Sequence, residues 1–274
     1  MEQEPHVLSE IADGVGTITL NRPDRRNALS VEMIEGLGST LEAMAASSEV
    51  GAVVIRGAGR AFCSGGDVRD FDERGGEGNG AEHVDPDAIR AQQEHQRRTV
   101  GALHRFPKPV LASIGGAAAG AGLGLALAAD LRIGTPRSVF ATAFAGVGLA
   151  GDFGAAWLLH HLVGPAKARE LMFLSPRVRG EEALGLGLLN WLVEEDDLDE
   201  RTAQLARQLA EGPSHALEGM KLNLLQAPLV DLDSSMDTEV PRHKQTGLTA
   251  DHIAAVRAFV DKQTPTFPRG WHTP

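Results

Sequence analysis

Two stretches of the chain gather small residues where chemistry on backbone amides becomes possible: Phe62-Cys63-Ser64-Gly65-Gly66-Asp67 and Gly120-Ala121-Gly122. Each follows a short apolar run, Val53-Val54-Ile55 in one case and Val110 to Ile114 in the other. Without bulky side chains a ligand can approach the backbone, and the free N–H groups at a helix start can meet negative charge. At the second stretch the dipole of the following helix adds positive potential. Side by side, two such turns would form an oxyanion hole, which holds the charge that develops on a carbonyl oxygen. Taken singly, each is equally an ordinary structural turn.

Other reactive side chains have less around them. Cys63 has no histidine near it in the sequence to activate it, and Ser64 has no histidine or aspartate at a defensible spacing. His160 and His161 are adjacent, so on a helix they point in different directions, and no third ligand follows at i+4. No metal site is expected. A lone cysteine in 274 residues excludes an internal disulfide and any thiolate cluster within one chain, which suits the cytoplasm. The formal net charge of −11 argues against nucleic acid or an anionic membrane as a partner. Met1 to Ser9 carries Glu2, Glu4 and a proline and lacks the basic and apolar regions of a secretory signal. Val110 to Ala129 is apolar but interrupted by glycines, and it reads as buried core rather than a membrane span.

The elements that must position the turns follow from periodicity. Gly16 to Leu20 alternates with period two and stops at Asn21-Arg22-Pro23-Asp24, as a strand ending in a turn would. Ser30 is placed to cap a helix whose Ile34, Leu37, Leu41 and Met44 lie at helical spacing. Val53 to Ile55 and Val110 to Ile114 read as strands covered on both faces, with further short strands at Leu131 to Ile133 and Val139 to Ala141. The segment 72–87 is acidic and rich in glycine, with too little apolar surface to pack, and is expected to be a mobile insertion. A helix over about Ala88 to Leu103 and an all-apolar one within Gly115 to Asp130 follow. Beyond Gly154 strand signals fade: Pro165 and Pro213 mark helix starts, and Leu205, Leu209, Leu217, Met220 and Leu224 recur at helical intervals.

The ordered set of motifs resembles the crotonase superfamily, the enoyl-CoA hydratase/isomerase family. It runs from Asn21-Arg22-Pro23 and Asn27-Ala28-Leu29 through Gly59 to Asp67, Lys108-Pro109-Val110 and Ala119 to Asp130. Gly148-Leu149, Asp152, Leu162-Val163-Gly164, Ala183 to Leu188 and Ala258 to Lys262 complete it. The resemblance implies an α/β fold, a crotonase-like spiral of β-β-α turns over residues 1–195 that binds acyl-CoA, followed by a helical C-terminal trimerisation region over 196–274. It implies that the amides of Gly66 and Ala121 bind the thioester oxygen. It also implies that coenzyme A, carried in as part of the substrate with no resident cofactor, lies along Arg25, Ala28, Leu29, Ser64, Asp67 and Val68. Phe259 and Lys262 would reach the coenzyme of a neighbouring subunit in a homotrimer or a dimer of trimers. Lys221 and Lys262 are equally read as solvated helix residues, and Asp67 as a brace for its turn rather than a proton carrier.

Hydratases of the family add water with two glutamates, and by the resemblance their places fall on Gly124 and Phe144 here, neither of which moves a proton. Asp152 stands where family members that shift double bonds, or that attack the acyl group with a carboxylate, carry an aspartate. It is the candidate base, although it would also serve as an N-cap for the helix after it. His95, on the helix expected to border the acyl pocket, is a lesser acid/base candidate. The expectation is therefore isomerisation of an unsaturated acyl chain. The alternatives are hydration with substituted acid/base residues, thioester hydrolysis through Asp152, and a catalytically inactive acyl-CoA-binding subunit.

Overall fold

The computed structural model describes residues 4–73, 75–78 and 81–267. The chain opens with an antiparallel hairpin, β1 (Val7–Ala12) and β2 (Val15–Leu20), followed by helix α1 (Val31–Ala46). Ser30 caps α1 by accepting a hydrogen bond from the Met33 amide at 3.1 Å, and the face buried beneath carries Met33, Leu37, Leu41 and Met44. At the other end, the fully buried Lys108 amine donates to the Met44 and Ser47 carbonyls, at 2.8 and 2.6 Å. A buried cation on the unsatisfied carbonyls of a helix C-terminus is favoured by the dipole.

A repeating unit then begins: a strand of a large sheet, a corner, a short strand of a smaller sheet, and a helix. The first unit is β3 (Ala52–Gly57), β4 (Ala61–Cys63) and α2 (Val68–Glu73), with α3 (Pro86–Gln96) continuing through one π turn, Arg97–Gly101, into α4 (Ala102–His104). The second is β5 (Val110–Ile114), β6 (Ala117–Ala119) and α5 (Ala121–Ala128). The third is β7 (Leu131–Gly134), β8 (Val139–Ala141) and α6 (Ala155–Leu174), kinked where Gly164 precedes Pro165. After β9 (Val178–Arg179), α7 (Gly180–Gly185) and β10 (Trp191–Leu192), helices α8 (Leu198–Ala210), α9 (Ser214–Gln226), α10 (Leu232–Thr246) and α11 (Ala250–Val260) complete the order.

The large sheet runs β1-β2-β3-β5-β7-β10, parallel from β2 onward, and the small one β4-β6-β8-β9. This is the expected spiral of β-β-α turns. The main core lies between the sheets and around α1 and α5, with every residue of α5 buried. On the outer face of the large sheet, Leu205 and Ala206 of α8 pack against Val54, Leu111 and Ile133. The helical region expected from residue 196 thus begins with a helix that covers the spiral's own sheet. The segment 72–87 lies partly outside the described residues. Within it, Asp85 caps α3 by accepting from the Asp87 amide at 2.8 Å.

The helical spacing of Leu217, Met220 and Leu224 falls on α9, and the reading of Lys221 as a solvated residue of that helix is corrected. Met220 and Leu224, at helical spacing on α9, are exposed, while Lys221 between them is buried. The reason is electrostatic: Lys221 pairs with Asp130 at 2.7 Å, and the same Asp130 oxygen accepts from the Val110 amide at 2.7 Å. Lys221 is therefore not a solvated helix residue. Among the described residues no helix is long and apolar enough to cross a membrane.

Candidate active site

The two glycine turns converge because β4 and β6 are parallel neighbours, with Ala61 opposite Ala117 and Cys63 opposite Ala118. Parallel strands end at the same edge, so the chain leaving β4 at Gly65-Gly66 meets the chain leaving β6 at Gly120-Ala121. Gly65 has φ +87°, and a Cβ there would lie 2.7 Å from the Ala119 carbonyl oxygen and 3.2 Å from the Ala121 nitrogen. Only glycine permits that approach. The Leu29 amide donates to the Gly65 carbonyl at 2.8 Å, a pairing that leaves the Gly66 amide out. Ala121 is the first residue of α5, so its amide has no carbonyl one turn earlier to meet. Gly66 and Ala121 line the same cavity, of about 200 Å³.

The first turn is braced from the loop after β2. Asn27 is fully buried; its side-chain oxygen accepts from the Arg22 amide at 2.9 Å and its nitrogen donates to the Ala58 and Ala61 carbonyls at 2.9 and 2.8 Å. Asp67 is buried and ion-paired to Arg22 at 3.4 Å and Arg25 at 3.5 Å, the bracing arrangement rather than a free carboxylate. Arg25 also pairs with Asp70 at 3.2 Å. Ala28 and Leu29 are buried; the Ala28 carbonyl accepts from Arg22 at 2.6 Å. Ser64 and the exposed Val68 line the cavity mouth. Cys63 is fully buried beneath, and burial pushes its thiol up to about 12, which removes it as a nucleophile at neutral pH.

Asp152 enters the same cavity from the loop between β8 and α6. It does not cap that helix: the N-cap residue is Gly154, without a side-chain cap, and only the Asp152 main-chain carbonyl is used, by the Ala155 amide at 3.1 Å. Its carboxylate oxygen Oδ2 accepts from Gln92 Nε2 at 3.0 Å, and its Oδ1 is buried without a hydrogen-bond partner among the described residues. Burial, with the nearby Glu77 carboxylate adding to it, pushes the Asp152 carboxyl up to about 6, and the Gln92 hydrogen bond works in the other direction. One helical turn beyond Gln92, Gln96 Oε1 accepts from the Phe153 amide at 2.8 Å. Sequence reading missed both glutamines, because a polar side chain on a polar helix carries no signal of a tertiary partner, and it missed Glu77, which lies in the glycine-rich turn before that helix. His95, on the same helix, is not among the residues lining the cavity.

The two places assigned to hydratase glutamates are closed to them. A Cβ at Gly124 would run into the Phe153 carbonyl, and Phe144 is a buried aromatic wall of the cavity. His160 and His161 lie on α6; the His161 ring stacks on Trp157 with centroids 3.8 Å apart. Phe259 and Lys262 stand exposed at the end of α11, and neither lines the cavity of its own chain.

Residues 10–270 match the family model described as enoyl-CoA hydratase/isomerase. The chain is 34% identical over 266 residues to the 1,2-epoxyphenylacetyl-CoA isomerase of Escherichia coli (strain K12), covering 95% of this chain and 97% of that one. It is 33% identical over 221 residues to 4-chlorobenzoyl coenzyme A dehalogenase-2 of an Arthrobacter species, 81% of this chain and 78% of that one. Its fold superposes on the crystal structure of an enoyl-CoA hydratase from Polaromonas sp. JS666 with a TM-score of 0.87 at 28% identity, over 96% and 99% of the two chains. With the spiral of β-β-α turns and the paired glycine turns, this match over nearly the whole chain makes the protein a member of the enoyl-CoA hydratase/isomerase family, within the crotonase superfamily.

Proposed function

We propose that the protein shifts the double bond of an unsaturated acyl-CoA, with Asp152 as the proton carrier and the amides of Gly66 and Ala121 as the oxyanion hole. The observation that carries this reading is that one cavity is lined by Gly66, Ala121 and the part-buried Asp152, with the exposed Glu77 as its other carboxylate, while the two hydratase glutamate places are occupied by Gly124, packed on Phe153, and by Phe144. Asp152 takes a proton from a carbon activated by the thioester. The C–H bond breaks, an O–H bond forms on the carboxylate, and the electron pair moves through the chain to the carbonyl oxygen, where the two N–H groups hold it. Returning the proton to a different carbon of the conjugated system re-forms the carbonyl with the double bond moved, and no water is consumed.

The coenzyme A part of the substrate would run along Arg25, Ala28, Leu29, Ser64, Asp67 and Val68. Phe259 and Lys262 would contact it from a neighbouring copy in a homotrimer or a dimer of trimers. The test is to incubate the pure protein with a panel of 2-enoyl- and 3-enoyl-CoA esters and follow double-bond position in solvent carrying labelled oxygen. Isomerised product without solvent oxygen is expected, with Asp152→Asn slowing it by at least about 100-fold. Isomerisation undiminished in that variant removes Asp152 as the base, and labelled oxygen in the product points to hydration or hydrolysis instead.

A further inference from the structure

We infer that Gln92 is the positioning residue for Asp152, its side-chain amide donating to the carboxylate and so holding it ready for the first proton transfer. This rests on the reading of Asp152 as the proton carrier. In that reaction the side chain must be a carboxylate before the first transfer and an acid between the two transfers. A lysine or arginine partner would favour the carboxylate throughout, and an acidic partner the acid. A neutral amide donor favours the carboxylate less strongly than a cation would, so it supports the base before the first transfer and leaves the acid within reach between the two transfers.

The surroundings make Gln92 the residue on which this depends. Its Nε2 lies 3.0 Å from Oδ2, while Oδ1 is buried with no donor among the described residues. A buried carboxylate oxygen without a donor disfavours the ionised form. The charged group facing Asp152 from the turn that precedes α3 is Glu77, of like sign, and it works in the same direction. Against burial and Glu77, the Gln92 hydrogen bond is the contribution that favours the carboxylate. The geometry is held by the helix itself: Gln96, one turn along α3, fixes the Phe153 amide at 2.8 Å, so the helix grips residue 152 by its side chain and residue 153 by its backbone.

The test uses the full chain, free of substrate, with 13C-labelled aspartate. Asp152→Asn identifies the Asp152 carboxyl resonance, whose titration is then followed in Gln92→Leu and in the isosteric Gln92→Glu, which preserves shape if the leucine variant fails to fold. Both variants are expected to titrate at higher pH than the parent, and Gln92→Lys at lower pH. The acidic limb of kcat/KM should move in the same directions, and Gln92→Lys should lose kcat because its ammonium holds the carboxylate against the acid intermediate. A titration that stays in place in Gln92→Glu and Gln92→Leu overturns the inference. Because it is measured without turnover, that result is separate from a failure of the reaction itself, which Asp152→Asn kinetics report.

Discussion

Asp152 combines partial burial, a like-charged neighbour and, among the described residues, a single side-chain hydrogen-bond donor, and the consequence is a cost to stability that follows pH. Burial holds its carboxyl up at about 6 in the folded protein, against about 3.9 when unfolded, so between those values the native state binds more protons than the unfolded one. Stability contributed by this group is therefore present at low pH and lost as pH rises through about 6. Asp152→Asn removes the charge and keeps the shape. Its melting temperature, measured from pH 4 to 8, should exceed that of the parent by a margin that grows through this window and levels off above it. A margin independent of pH would mean that Asp152 is not desolvated as described. Gain of stability with loss of turnover is the pattern of a group placed for chemistry rather than for folding. Asn27 is the opposite case. Its side chain joins the loop after β2 to the start of the first glycine turn, so Asn27→Ala leaves buried carbonyls unpaired and should cost about 1–3 kcal/mol in urea unfolding.

At the scale of elements, the site exists because two three-residue strands, β4 and β6, lie side by side and end together. Gly65 is a point of close approach between the turns that leave them. Gly65→Ala should lower kcat by about 10²–10³, the effect of displacing an oxyanion donor, together with a loss of roughly 1 kcal/mol or more in stability. Gly185→Ala, on α7 with open space around it, is the control and should leave turnover unchanged. What the sequence disclosed follows the same division. Strands β2, β3, β5, β7 and β8 were legible because alternation or an unbroken apolar run marks them, and Ser30 announced α1. Ala61-Phe62-Cys63 and Ala117-Ala118-Ala119 were not, being too short to show a period, although they set the geometry of the two glycine turns. The turns themselves were visible through glycine, since close backbone approach excludes other residues. The grip of Gln92 and Gln96 on residues 152 and 153 joins positions about sixty apart and leaves no local trace.

For the whole molecule, the C-terminal helices present more apolar surface than a single chain covers. Met220 and Leu224 on α9, Leu248 before α11 and Phe259 at its end are 57%, 74%, 84% and 84% exposed. Surface of this kind, gathered in one region of the chain, is suited to burial against other copies. Each copy also carries a formal charge of −11, so association brings like charges together and must be driven by apolar burial against that repulsion. The sign of the salt dependence follows. Screening shortens the Debye length from about 10 Å at 0.1 M to about 3 Å at 1 M, so added salt should tighten the assembly, whereas an interface held by ion pairs would loosen. Sedimentation at micromolar concentration is expected to give three or six times the monomer mass, with dissociation on dilution suppressed by salt. Leu224→Glu together with Phe259→Glu should shift the population toward single chains. Turnover should fall with that shift, chiefly through a higher KM for acyl-CoA, because Phe259 and Lys262 of one copy are proposed to reach the coenzyme bound by the next. A monomeric mass at every salt concentration, with full activity, would assign the exposed apolar face to something other than self-assembly.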